Sequence, residues 1–243
     1  MHAWGLTDAG TVRAQNQDAF AIVPLSGGAL LAAVCDGMGG ALSGDVASHM
    51  ALNAFQNGVK RGWRRALSDE GVRDLLLGAL HDANESVYRQ SYSDQSFQGM
   101  GTTIVAVLAY KSTAMVLNVG DSRAYHIQPD DYRCVTVDHS YVQMMLDRGV
   151  ITKSQAQHHP KKNLITRAVG TSPEVIGDVF QTTLKTGESM LLCSDGLSNV
   201  LSDQEILYEV LHGGSNETCC ERLLEIAKKR GAPDNLTAVL VCG

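Results

Sequence analysis

Thr103-Ile104-Val105-Ala106-Val107-Leu108, Ala114-Met115-Val116-Leu117-Asn118-Val119 and Ala124-Tyr125-His126-Ile127 follow one another in quick succession. Short apolar runs of this kind, broken by Gly-Asp and similar turn signals, read as strands. Four more lie outside this block, at 19–23, 29–34, 189–193 and 237–241. Helical spacing separates them: Val72, Leu75, Leu76, Ala79, Leu80, Ala83 and Val87 share one face, as do Ala47, Met50, Ala51, Ala54 and Phe55. Cys219, Cys220, Leu223, Leu224 and Ala227 repeat the pattern, with Lys228, Lys229 and Arg230 placed to meet a helix C-terminus. Strands come first, then two long helices, then three strands together, then helices and strands again. This order lacks the strict alternation of a parallel sheet and predicts antiparallel sheets covered by helices, an α+β fold.

The chain of 243 residues has no internal repeat or low-complexity tract, and its five prolines mark no hinge, so residues 1–243 read as one domain. With 44% hydrophobic residues it has enough apolar material for a sizeable core. A net charge of -6 argues against nucleic-acid binding, which calls for a basic face. No apolar run approaches the roughly 20 residues that span a bilayer, and Asp8 interrupts the first apolar stretch, against a signal peptide. Six cysteines without Cys-x-x-Cys spacing suit a reducing cytoplasm.

Four aspartates have a context that surface aspartates lack. Asp36 follows Leu30-Leu31-Ala32-Ala33-Val34-Cys35, and Asp195 follows Met190-Leu191-Leu192-Cys193-Ser194, each preceding glycine. Asp121 follows Val119-Gly120, and Asp234 precedes the last strand. A single Asp-Gly after a strand is most often only a turn. Four carboxylates at the ends of buried-looking strands need cations to offset desolvation, and nearby basic residues are too few. Mg²⁺ and Mn²⁺ prefer such oxygen ligands.

Seven motifs then occur in order: Arg13-Ala14-Gln15-Asn16-Gln17-Asp18, Asp36-Gly37-Met38-Gly39-Gly40, Gly101-Thr102-Thr103, Val119-Gly120-Asp121-Ser122-Arg123, Asp138-His139-Ser140, Ser194-Asp195-Gly196 and Asp234-Asn235-Leu236-Thr237. Together they resemble the PPM, or type 2C, metal-dependent Ser/Thr protein phosphatases, with Asp-Gly-Met-Gly-Gly most similar to the bacterial branch. The resemblance runs from Gly5 to Val241. It implies a central β-sandwich of two antiparallel sheets with helices on both outer faces, a four-layer αββα arrangement, and a small helical flap at about residues 141–165.

The resemblance also implies a site. Asp36 would bridge two Mn²⁺ or Mg²⁺ ions, the Gly37 carbonyl would ligate one, and Asp195 and Asp234 would complete the first position. Asp18 would act through metal-held water, and Asp121 with Asp195 would hold a third, weaker ion. Such a pair activates water for in-line attack on phosphate monoesters, which are among the slowest bonds to hydrolyse unaided. Arg13 would bind the phosphate as a bidentate fork. Phosphorylated proteins would be the substrates, opposing a Ser/Thr protein kinase, with a monomeric enzyme and no membrane partner.

Departures from the family pattern are Met38 in place of a histidine that could serve as general acid, Ala41 in place of a second histidine, and Gln17 in place of an acidic residue. The acid is therefore unassigned, and water on the metal is the substitute. In the flap, Met144, Met145 and Leu146 read as core packing, Lys161 and Lys162 as solvated charges, and His139 as structural. Ser194 lacks the Gly-x-Ser-x-Gly elbow of a serine hydrolase, and no phosphate-binding glycine loop is complete. The alternative of another class is a catalytically weak, phosphatase-like regulatory binding module. Loss of metal aspartates would mark it, and here each expected position is aspartate.

Overall fold

The strand β3 (Leu30–Met38) shows why the apolar runs are continuous rather than alternating. Leu31, Ala33 and Cys35 face helices α1 (Ser43–Gly62) and α2 (Asp69–Ser93), while Leu30, Ala32 and Val34 face a second sheet. Both faces are dry, so every position is apolar. The same division runs through β5 (Ile104–Tyr110), with Ile104, Ala106 and Leu108 on the helix side and Val105, Val107 and Ala109 between the sheets. The computed structural model describes residues 1–39, 43–93, 95–129 and 131–243.

In the first sheet, β2 (Asp18–Pro24), β3, β5, β6 (Thr113–Val119) and β9 (Asp178–Thr183) lie in that order, and the short β4 (Gly101–Thr102) pairs with the end of β3. In the second, the order is β1 (His2–Asp8), β11 (Leu236–Cys242), β10 (Ser189–Cys193), β7 (Arg123–Gln128) and β8 (Asp131–Cys134). Every pairing is antiparallel, with the first and last strands hydrogen-bonded along their length. Helices α5 (Asp195–Ser198), α6 (Asp203–His212) and α7 (Cys219–Lys229) cover the outer face of the second sheet, where Leu191, Leu236, Ala238 and Leu240 meet Leu223, Leu224 and Ala227. Helix, sheet, sheet and helix form the four layers expected of the sandwich, and the three predicted helical faces pack inward, with Met50, Ala54 and Leu75 only partly buried.

Several local expectations are corrected. Asp36-Gly37 is not a turn: pairing of Gly37 with Thr102 and Met38 with Gly101 carries β3 past the aspartate. Asp195-Gly196 opens the short helix α5 instead of a turn, with Ser194 at its N-cap position. The strands β1, β8 and β9, edges of their sheets, carry too many polar residues to read as apolar runs. Met144, Met145 and Leu146 lie on α3 (Tyr141–Asp147), which buries no residue completely and leaves them half-buried. That helix and α4 (Lys153–Gln157) sit between Ser140 and Ile165, which form an isolated bridge. Gly40, Ala41 and Leu42 of the expected glycine-rich segment lie outside the described residues.

Leu117 of β6 is fully buried between its sheet and the helices. Leu117→Ala is expected to cost about 2–5 kcal/mol, read from the midpoint of urea unfolding with an unchanged slope.

Candidate metal centre

One end of the sandwich gathers the aspartates. The β2–β3 register sets Asp18 directly opposite Asp36, an arrangement that like charges disfavour. Asp121 sits in the bend between β6 and β7, Asp195 follows β10 at the start of α5, and Asp234 lies just before β11. Asp36, Gly37, Asp121, Asp195, Asp234 and Arg13 all line one cleft of about 270 Å³. Asp18 is 3% exposed, buried outside that lining. A broader groove of about 800 Å³ shares Asp121 and Asp195 and runs past α3, α4 and the start of α6. Four of the carboxylates, Asp36, Asp121, Asp195 and Asp234, converge on the smaller cleft.

Backbone clamps fix these positions. The Asp36 N–H donates to Thr103 Oγ1 at 3.0 Å, while the Thr103 N–H and the Thr102 hydroxyl each donate to the Asp36 carbonyl at 2.9 Å. A side chain at residue 37 would meet the Gly44 carbonyl oxygen at 2.0 Å, so this close approach requires glycine. Gly120 turns the chain with φ +108°, in the left-handed region, and its N–H donates to His139 Nδ1 at 3.1 Å. With Nδ1 accepting, the ring proton belongs on Nε2, 3.1 Å from Asp178. His139 is thus a brace for the Asp121 bend, and burial holds its pKa below the ordinary value although Asp178 opposes the shift. Asn235 ties down the Arg13 loop: its amide donates to the carbonyls of Ala9 and Gln15, and its oxygen accepts from the Gln17 N–H.

The electrostatics are those of crowded, poorly neutralised acids. Burial, then repulsion from Asp18, Asp195, Asp121 and Asp234, pushes Asp36 well above the ordinary carboxylate range. Burial raises Asp18 to about 6 against the hydroxyls of Ser194 and Thr237, which both donate to its Oδ2 at 2.7 Å. Asp121 rises to about 8, through burial and then Asp195, and Asp195 is raised by burial and Asp234. Two arginines are close, but Arg13 Nη2 holds Asp234 Oδ2 at 2.9 Å and Arg123 forks onto Asp138 at 2.7–3.3 Å.

The residues fit a hard divalent cation by donor chemistry, since the cluster is all carboxylate oxygen. Asp18 Oδ1, buried and without a hydrogen-bond partner, is an acceptor awaiting a donor or cation. Among the described residues no three acidic, histidine or cysteine side chains are already drawn into a ligand cage.

All seven residues singled out from the sequence reach this end of the sandwich, six on the cleft and Asp18 beneath the Ser194 and Thr237 hydroxyls. Sequence reasoning missed Asn163 and Ile165, which also line it, and the supporting parts played by Thr103, Ser122 and Asn235. Thr103 and Asn235 stand inside quoted motifs, whereas nothing local marks Asn163.

The αββα sandwich carries a carboxylate-lined cleft at one end. Residues 10–241 match the family described as protein phosphatase 2C, and the chain belongs to it. It is 36% identical over 244 residues to the serine/threonine phosphatase stp of Listeria innocua, covering 99% of this chain and 95% of that protein. It is 35% identical to PstP of Mycobacterium tuberculosis, over 96% of this chain and 43% of PstP. Among solved structures, Stp1 of Staphylococcus aureus superposes with a TM-score of 0.93 at 32% identity, covering 99% of this chain and 94% of that one. The catalytic domain of PstP, solved with two manganese ions, gives 0.85 at 31% identity, covering 98% and 96%.

Metal-free protein should show the carboxylate strain as a pH effect on stability. A pKa raised on folding contributes stability that is complete below the unfolded value, near 4, and lost as pH rises through the folded one. Asp18, at about 6, and Asp121, at about 8, set the window. With chelator present, the melting temperature should fall between pH 5 and 9, and Mn²⁺ should raise it most at the alkaline end. A flat profile in chelator would contradict the reading.

Proposed function

We propose that this chain hydrolyses phosphoserine and phosphothreonine in proteins, using two divalent ions, Mn²⁺ or Mg²⁺, at the cleft lined by Asp36. The observation that carries it is the convergence of five mutually repelling aspartates, one with an orphaned buried oxygen, beside a half-exposed arginine. Family membership and the manganese-bound relative support the same reading. Asp36 would serve both ions, the Gly37 carbonyl would hold one of them, Asp195 and Asp234 would complete the first position, and Asp121 with Asp195 would hold a third, weaker ion. When bound, such ions supply an activated water and offset phosphoryl charge.

The chain's own groups do the rest. Ser194 and Thr237 hold Asp18 Oδ2, which leaves its buried Oδ1, beneath the cleft, as an acceptor for water held by a bound ion. Arg13, with 53% of its side chain exposed, can exchange its Asp234 partner for a phosphate and grip two oxygens at once. Met38 lines the cleft and offers no proton, so no side chain here is assigned as general acid. Residues 141–165 act as a flap beside the cleft within a single catalytic domain, and the shared groove receives the polypeptide around the phosphorylated residue. The enzyme acts as a monomer against the products of a Ser/Thr protein kinase. Among the described residues no helix is long and apolar enough to cross a membrane, and every cysteine is a free thiol, which suits the cytoplasm.

Hydrolysis of p-nitrophenyl phosphate and of a phosphothreonine peptide should require Mn²⁺ or Mg²⁺ and stop with chelator. Asp36→Asn should lower kcat/KM by roughly 10³-fold, the loss of several kcal/mol of charge stabilisation. Retained turnover in that variant, or none in metal-loaded wild type, would refute the proposal. Arg13→Ala should raise KM about tenfold or more while changing kcat less, and Arg13→Lys should restore little, because a single ammonium cannot fork. An unchanged KM would exclude Arg13 from phosphate binding.

A further inference from the structure

Among the described residues, the lining side chains that can donate a hydrogen bond are committed elsewhere, with one exception. The Thr103 hydroxyl serves the Asp36 N–H and Ser122, the Asn235 amide is spent on Ala9, Gln15 and Gln17, and Arg13 rests on Asp234. Asn163 lines the same cleft as Asp36 and Gly37, and among the described residues its amide makes no hydrogen bond. With Ile165 it is what the segment between α4 and β9 contributes to the lining.

Its backbone is not loose. The Leu164 N–H donates to Lys161 at 3.2 Å, the Tyr141 N–H donates to Leu164 at 2.8 Å, and the Thr166 N–H donates to His139 at 2.8 Å. The isolated Ser140–Ile165 bridge joins the same two segments. Lys161 sits over the Tyr141 ring at 5.3 Å, closing the turn that precedes Asn163. Asn163 is therefore tied through His139 to Gly120, the residue that sets the Asp121 bend.

We propose that the Asn163 amide donates a hydrogen bond to a phosphoryl oxygen of the bound substrate, as a second anchor beside Arg13. The inference rests on the phosphatase reading and adds a residue to it. A phosphate monoester dianion offers more oxygens than one guanidinium fork can hold, and four of the cleft's other side chains, Asp36, Asp121, Asp195 and Asp234, are carboxylates that repel it. A neutral NH₂ group supplies a donor to that dianion without adding charge among the aspartates. Its position on the segment covering the cleft couples phosphate binding to the placement of residues 141–165.

Asn163→Ala and the isosteric Asn163→Asp, each as the full Mn²⁺-loaded chain, test it. Asn163 is exposed, so both variants should fold, as matching melting temperatures in chelator would verify. Calorimetric affinity for inorganic phosphate should fall roughly tenfold or more in Asn163→Ala, as expected for a hydrogen bond to a charged group, and further in Asn163→Asp. KM for p-nitrophenyl phosphate should rise in step, with kcat and the half-activating Mn²⁺ concentration within about twofold of wild type. Phosphate affinity unchanged in Asn163→Ala would overturn the proposal. So would an Asn163→Asp variant that needs less Mn²⁺, since the residue would then face a cation through its oxygen. If wild type binds phosphate but shows no metal-dependent turnover, the phosphatase reading fails while the calorimetric arm still judges Asn163.

Discussion

Repulsion among Asp18, Asp36, Asp121 and Asp195, in a setting too dry to screen it, is the constraint around which this molecule is arranged. Burial is the first cause of every raised pKa in the cluster, and the neighbouring carboxylates add to it. A fold would shed such a cluster unless something stronger held it. Here the holding force is the sandwich itself, whose apolar strands on both faces keep the ends of β3, β6 and β10 at one edge. The apolar core is thus what makes an unfavourable charge arrangement tolerable.

The polar residues around the cluster divide into clamps and ligands. Thr102, Thr103, Asn235, Ser194 and Thr237 spend their hydrogen bonds on the backbone or on Asp18, so the side chains that face the cleft need not support themselves. His139 works at one remove, holding Gly120 in a left-handed conformation that sets the following aspartate. A binding constellation mounted this way is preorganised by strand ends and a hydrogen-bonded second layer, rather than by mobile loops. The segment carrying α3 and α4 is different: no residue of α3 is fully buried, and it is fastened by the Ser140–Ile165 bridge and its neighbours. Low burial is the physical allowance for movement next to a site that must admit a polypeptide.

The sequence by itself determined the α+β class, because short apolar runs bounded by turn signals read as strands, helical spacing separates them, and their order lacks the alternation of a parallel sheet. Asp36, Asp195, Asp121 and Asp234 stood out for the same reason: a carboxylate at the end of such a run is costly wherever the chain goes. Arg13, Gly37 and Asp18 came from the ordered motifs and not from any local pattern. Tertiary structure decided what depends on partners distant in sequence. The strands β1, β8 and β9 are polar enough to read as loops and become strands by pairing at sheet edges. Asp36-Gly37 reads as a turn and stays a strand because β4, more than sixty residues on, pairs with it. Met144, Met145 and Leu146 look like core and lie half-buried, since periodicity reports which face is apolar and not what covers it. Asn163 carries no local mark at all: its place on the cleft follows from a bridge between Ser140 and Ile165, a contact that only the folded chain can make.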